Sequence, residues 1–292
     1  MSRPKVPSAS WLPKLVVAPS FLLSFFFIYG LIAWNGYLSL SASHMLPNYD
    51  YVGFSNYIDL FDNDRFMVAL KNMGIFGVLF IGGSMALGLL LAILLDQKIR
   101  AEGVLRTIYL YPMAISFIVT GTAWKWILNP GLGIEHVVQQ FGFASFTFDW
   151  LVNPDKAIYC VAIAGMWQSA GFVMALFLAG LRGIDESIIK AAQVDGASLP
   201  RIYWSIIIPS LRPVFFSTLM VVSHLAIKSF DLVMALTAGG PGFATDLPAT
   251  FMYSMAFTRG QIGLGASSAT VMLATVAAIV VPYLYSELRS KR

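Results

Sequence analysis

The sequence predicts an all-α, polytopic membrane protein, and three observations carry that expectation. First, 58% of the 292 residues are hydrophobic and only 12% are charged, with a mean hydropathy of +0.73. Soluble domains carry about 25% charged residues, so a soluble fold of this size has too little charge to cover its exterior. Second, the apolar residues gather into six segments, near 15–38, 73–95, 107–128, 157–181, 213–236 and 264–286. Each reaches the roughly 20 residues that a bilayer crossing needs. Third, the basic residues are asymmetric about those segments.

Segment 15–38 follows Arg3, Lys5 and Lys14 and precedes Ser41-Ala42-Ser43, an arrangement that also marks secretory signals. Its apolar run exceeds the roughly 7–15 residues of a signal core, so it reads as a retained span. With the N-terminus placed inside, the inner side collects Arg3, Lys5, Lys14, Lys98, Arg100, Arg106, Arg182, Lys190, Arg201, Arg212, Arg289, Lys291 and Arg292. The outer side holds Arg65, Lys71, Lys125, Lys156 and Arg259, while Lys228 lies within a span. This is the positive-inside pattern, with both termini cytoplasmic. The long outer connections, 39–72 and 129–156, are rich in aromatics, glycine and proline, and "IEHVVQQF" in the second reads as a short ordered helix.

Composition and motifs also exclude. A net charge of +4 placed in this way is a topology signal and leaves no nucleic-acid footprint. The chain has no G-x-x-x-x-G-K-[ST] phosphate loop, no H-E-x-x-H and no G-x-S-x-G. His44, His136 and His224 are scattered, and Cys160 reads as a small buried hydrophobe. No metal site and no catalytic residue is expected in this chain.

The inner loop between spans four and five, "KAAQVDGASLPRIYWSIIIP", carries an ordered series of breakers. Asp185 suits an N-cap, and Glu186 places negative charge in the first turn. A helix is predicted through "ESIIKAAQV", with Ile188, Ile189 and Ala192 on one side and Glu186, Lys190 and Gln193 on the other. Asp195-Gly196 ends it, Pro200 opens a second helical piece, and Pro209 and Pro213 restart the chain into span five. A short amphipathic helix pinned between two spans is suited to pass a push from a cytoplasmic partner to those spans.

These residues resemble the E-A-A-x(3)-G-x(9)-I-x-L-P motif of type I ABC importer permeases, the membrane subunits of binding-protein-dependent uptake systems. Ala191, Ala192, Gly196, Ile206 and Pro209 fall at the motif's spacing, and Asp195-Gly196-Ala197 matches its D-G-A core. Lys190 stands where the motif has Glu, and Ile208 where it has Leu. "WQSAGFVMALFLAGLRGIDESIIKAA" and "SFDLVMALTAGGPGFAT" are similar to segments of the sugar-uptake branch, maltose, glycerol-phosphate and glucose permeases among them, whereas residues 1–66 match loosely.

The resemblance implies a six-span permease in a bacterial inner membrane. Residues 1–66 would hold the cytoplasmic N-terminus, first span and outer loop, 67–287 the transporter domain with coupling loop 182–212, and 288–292 a cytoplasmic tail. Its implied partners are a second homologous permease, two copies of a cytoplasmic ATPase and an extracytoplasmic sugar-binding protein. ATP and Mg would be bound by the ATPase, so this chain needs no cofactor. ATPase coupling is expected at Glu186, Lys190, Ala191, Ala192, Asp195, Gly196, Ala197 and Pro209.

For a substrate pathway, ionisable groups within spans are functional candidates. His224, Lys228 and Asp231 are expected on one face of a continuous span five, with Lys228 and Asp231 placed to pair. A neutral sugar asks for aromatic faces and neutral hydrogen-bonding groups in an apolar cavity. Trp167, Gln168 and Phe172 of span four offer these, with Ser229 on the opposite face of span five. Gly263, Gly265, Ala266, Ser267 and Ser268 are expected at a contact between permease subunits. A permease for a non-sugar solute such as glycerol phosphate stays open. So does a secondary transporter or channel working without an ATPase, for which broken mid-span helices would be a mark.

Overall fold

The computed structural model describes residues 11–97 and 99–290, with backbone alone at 11, 12 and 286–290. The predicted inner charges Arg3, Lys5, Lys98, Lys291 and Arg292 lie outside the described residues, as does the side chain of Arg289. The described residues are helical, without a β-strand. In order the helices are α1 (Trp11–Ser39), α2 (Ser55–Phe61), α3 (Asp64–Asp96), α4 (Glu102–Ala114), α5 (Phe117–Ile127), α6 (Ile134–Gln140), α7 (Ala157–Leu181) and α8 (Glu186–Val194). There follow α9 (Leu199–Ile202), α10 (Ile208–Ser210), α11 (Arg212–Ile227), α12 (Asp231–Leu236), α13 (Pro248–Tyr253) and α14 (Ile262–Ser290).

Four helices, α1, α3, α7 and α14, are individually long and apolar enough to cross a bilayer. Segment 107–128 is not one rod: α4 and α5 meet at 100° across Ile115-Ser116. The break has a local cause. Pro112 interrupts the ladder at the end of α4, and Ser116 caps α5 by accepting from the Val119 N–H. Segment 213–236 is also broken, with α11 ending at Ile227, capped by Lys228, and α12 beginning at Asp231. At its other end, the helical run Leu199–Ser210 turns into α11 through 64°.

Helix α7 is the axis of the molecule and packs along α3. Phe76 and Phe80 of α3 stack at 5.2 Å, and with Val173, Met174, Phe177 and Leu178 of α7 they form the largest core. Small residues permit the approach of α4 on α7. A Cβ on Gly171 would run into the Tyr109 carbonyl, so only glycine fits there. Helix α3 has 33 residues, about 50 Å at 1.5 Å each, and so extends well past a hydrocarbon core of about 30 Å.

The α1 span is exposed along its length and touches α14, where Asn35 donates to the Ala266 carbonyl (3.2 Å) and the Thr270 hydroxyl (3.1 Å). The small residues opening α14 do not serve an intersubunit face as expected. Ser267 and Ser268 are fully buried within this chain, Ser268 donating to the Pro248 carbonyl, and Gly265 packs on Ala256.

Candidate coupling element and membrane trough

The loop between α7 and α11 folds as its breakers dictate. Asp185 accepts from the Ser187 N–H at 2.8 Å and caps α8, which runs over the predicted "ESIIKAAQV". Gly196 then adopts φ +78, and the Ala197 and Gly196 N–H groups return to the Ala192 and Gln193 carbonyls, both at 3.0 Å. That is a Schellman closure, which places the one residue without a Cβ in the left-handed position. Ala192, Ile189 and Ala197 lean on the core, whereas Ile188, Ala191 and Val194 face outward, Val194 being 88% exposed. Pro209 lies in α10, ahead of the 64° elbow.

Lys190 donates to Glu186 at 2.8 Å across one turn, with both side chains largely exposed. The hydrogen bond to Glu186 and its charge raise the Lys190 pKa, and the Ser187 hydrogen bonds lower that of Asp185. Behind this helix, Arg182 pairs with Glu102 and joins the end of α7 to the start of α4.

The second feature is a trough along the breaks in spans three and five. One hollow of about 180 Å³ is walled by Trp124, Trp167, Thr120 and Ile115. A second, of about 140 Å³, shares Ile115 and adds Ser116, Phe117, Gln168 and Phe172. A third, of about 50 Å³, shares Phe117 and reaches Lys228, Ser229 and Asp231. Trp124 and Trp167 meet edge to face at 5.9 Å. Gln168 is 2% exposed, and its amide N–H donates to the Ile115 carbonyl at 2.7 Å. In lipid no water is at hand for a freed carbonyl, so this bond is what makes the break tolerable. The Gln168 amide oxygen, Oε1, and the Thr120 hydroxyl are buried without a partner among the described residues. An unpartnered buried polar atom costs about 1–3 kcal/mol.

Three expectations for span five are corrected. The break at Lys228 removes the continuous helical face on which His224, Lys228 and Asp231 were placed. No ion pair joins Lys228 to Asp231 among the described residues; both side chains are exposed, as is His224. Ser229 is in the break, beside Lys228 in the third hollow, and so does not oppose the charged groups. Trp167, Gln168 and Phe172 do converge on the trough, whereas His224 lines none of its three hollows.

Sequence reasoning missed Thr120, Trp124 and the Ile115 carbonyl, which enter only because span three breaks. Pro112 followed by Ser116 was the available signal. It also missed a latch at the start of α3. Arg65 at the start of α3 pairs with Asp246, which is 1% exposed and accepts from Thr250. Arg65 also stacks 4.3 Å above Phe243 and donates to Ser254, while Asn72 donates to the Asp246 carbonyl. The "GGPGFAT" loop is thereby tied to α3.

The fold is a bundle of long apolar helices with a capped amphipathic helix, α8, between α7 and α11. The chain belongs to the family described as binding-protein-dependent transport system inner membrane component, which it matches over residues 84–290. It is 38% identical over 273 residues to a probable ABC transporter permease protein, PH1215, of Pyrococcus horikoshii, covering 93% of this chain and 94% of the relative. It is 37% identical over 269 residues to the xylose/arabinose import permease protein XacH of Haloferax volcanii, covering 91% and 84%. The fold matches that of a bacterial ABC transporter involved in alginate import, with a TM-score of 0.83 at 19% identity and 97% of each chain covered. The chain is thus a permease subunit of an ABC importer and not the subunit that hydrolyses ATP.

Proposed function

We propose that this chain is the sugar-conducting permease subunit of an ATP-driven importer in a bacterial plasma membrane. In this reading the bent pairs α4–α5 and α9–α11 each complete a span, giving six crossings with cytoplasmic termini. The N-terminal region 1–66 precedes the transporter domain 67–287, and 288–292 form a cytoplasmic tail. The coupling loop 182–212 docks through α8 on an ATPase dimer that binds ATP and Mg. A second homologous permease completes the pathway, and an extracytoplasmic binding protein delivers the sugar.

The observation that carries the sugar reading is the chemistry of the trough. Trp124 and Trp167 offer aromatic faces, and the unpartnered oxygens of Thr120 and Gln168 are arranged around the Ile115 break. A pyranose presents apolar C–H faces and a ring of hydroxyls, which these groups complement. XacH, a permease named for xylose and arabinose, supports the same class. Broken helices alone do not argue for a secondary transporter, because here they accompany the capped coupling element and the family match.

A ligand screen on the binding protein that co-purifies with the chain tests the substrate class, and uptake by Trp167→Ala and Gln168→Ala variants tests the site. The reading expects sugars as ligands and a raised apparent KM in both variants. An unchanged KM in both removes the trough from the pathway. Lys228, exposed at the trough's narrow end without a counter-ion among the described residues, favours a second reading in which the solute is anionic, such as glycerol phosphate.

A further inference from the structure

A hollow at the inner end of span five lies outside the trough and borders the end of the coupling loop. Leu89 of α3, Phe177 of α7, and Pro209, Leu211 and Phe216 wall a cavity of about 320 Å³ whose lining is almost wholly apolar. The charged residue on its lining is Arg212. Arg212 is exposed and has no ion pair among the described residues. The hollow occupies the elbow where Leu199–Ser210 turns by 64° into α11. A ladder of rings extends its wall: Phe177 to Phe215 and Phe215 to Phe216 at 6.2 Å, then Phe216 to Tyr283 of α14 at 6.5 Å.

An arginine at the rim of an apolar hollow calls for an anion that brings its own hydrocarbon. A soluble phosphate leaves the apolar walls uncovered, and a zwitterionic lipid offers a phosphate whose charge its own ammonium offsets. We infer that this hollow holds an acyl chain of an anionic phospholipid whose phosphate is gripped by Arg212. The planar guanidinium is weakly hydrated and binds phosphate through paired N–H groups, which suits it to this interface better than an ammonium. Tyrosine, here Tyr283 at the end of the ladder, favours the same depth, and basic pockets between helices on the cytoplasmic side are suited to lipid headgroups. Lodged at the elbow between the coupling element and α11, such a lipid biases how far the two can bend, so it regulates coupling.

Native mass spectrometry of the complete transporter, taken from nanodiscs of phosphatidylcholine with phosphatidylglycerol, tests this directly. Phosphatidylglycerol is expected to stay bound to the wild type. Arg212→Gln lowers its retention about tenfold, as loss of one charge-assisted contact predicts. Leu89→Trp fills the hollow and abolishes retention of the lipid, while Arg201→Gln, outside the hollow, leaves it intact. Failure of the wild type to retain phosphatidylglycerol overturns the proposal. An equal loss in Arg201→Gln does so too, by reducing the effect to surface charge, as does a helix of the second permease found filling the hollow. Lipid retention is read without transport, so a negative result leaves the sugar reading untouched.

Discussion

Gln168 of α7 donates to the Ile115 carbonyl at 2.7 Å, so a side chain from one span supplies the partner that the break in another has lost. The same residue keeps its amide oxygen buried and unpartnered beside the trough. Replacement by leucine leaves the Ile115 carbonyl without its donor. The expected cost is about 1–3 kcal/mol, with a lower melting temperature for the assembled transporter and a raised KM for uptake. Gln168→Met, of similar size, should lower stability as well, because a thioether has no hydrogen to donate. A melting temperature equal to the wild type's in both variants refutes this role.

Asp246 is buried against Arg65, and breaking such a pair from one side strands a charge. Asp246→Ala should therefore destabilise the permease by about 3–5 kcal/mol, visible in thermal unfolding followed by tryptophan fluorescence. A paired Arg65→Met, Asp246→Leu variant should recover most of that loss. Non-recovery would show that the network of Thr250, Ser254 and Asn72 matters more than the charge pair.

Gly171 touches backbone, so relief by side-chain movement is closed to it. Gly171→Val should overpack the α4–α7 contact by about 1–3 kcal/mol or more and reduce the folded yield in membranes. Gly30 faces open space where a Cβ would stand, so it should accept alanine without loss. Fluorescence-detected gel filtration of both variants checks the contrast.

The cap and pair on α8 set its pH behaviour. The Asp185 carboxyl is depressed by the Ser187 hydrogen bonds, so its cap is complete above the unfolded value of about 3.9 and fails as pH falls through the lower folded value. Lys190 is raised by Glu186, so that contribution is complete below about 10.4 and fades as pH rises through the folded value. Neither group changes charge near neutrality. Asp185→Ala, by contrast, should speed amide exchange at Ser187 and Ile188 at pH 7, and unchanged exchange there would dismiss the cap.

Much of this was legible because the relevant signals are local. The limits of α7 and α8 followed from Arg182, Asp185 and Gly196, since interface charge, cap and left-handed turn are read over a few neighbouring residues. Spans three and five misled because hydropathy reports only that residues are apolar. It is blind to a bend at Ile115-Ser116 or Lys228-Ser229 whose stability depends on groups distant in the chain, Gln168 above all. The face assigned to His224, Lys228 and Asp231 failed for that reason. The pairing of Arg65 with Asp246 was not legible because 181 residues separate them.

Gly196 carries the central claim, that α8 conveys an ATPase stroke to the spans. Open space surrounds it, so its φ of +78 alone opposes a side chain. The left-handed conformation costs an ordinary residue about 1–2 kcal/mol, while asparagine tolerates it. The most direct measurement is ATP-driven sugar uptake, with binding-protein-stimulated ATP hydrolysis, by the complete transporter in proteoliposomes carrying Gly196→Val or Gly196→Asn. Both variants should assemble, with uptake and stimulation lost in Gly196→Val and substantially retained in Gly196→Asn. Full uptake and stimulation by Gly196→Val, or sugar flux through the chain without ATPase and ATP, would overturn the claim.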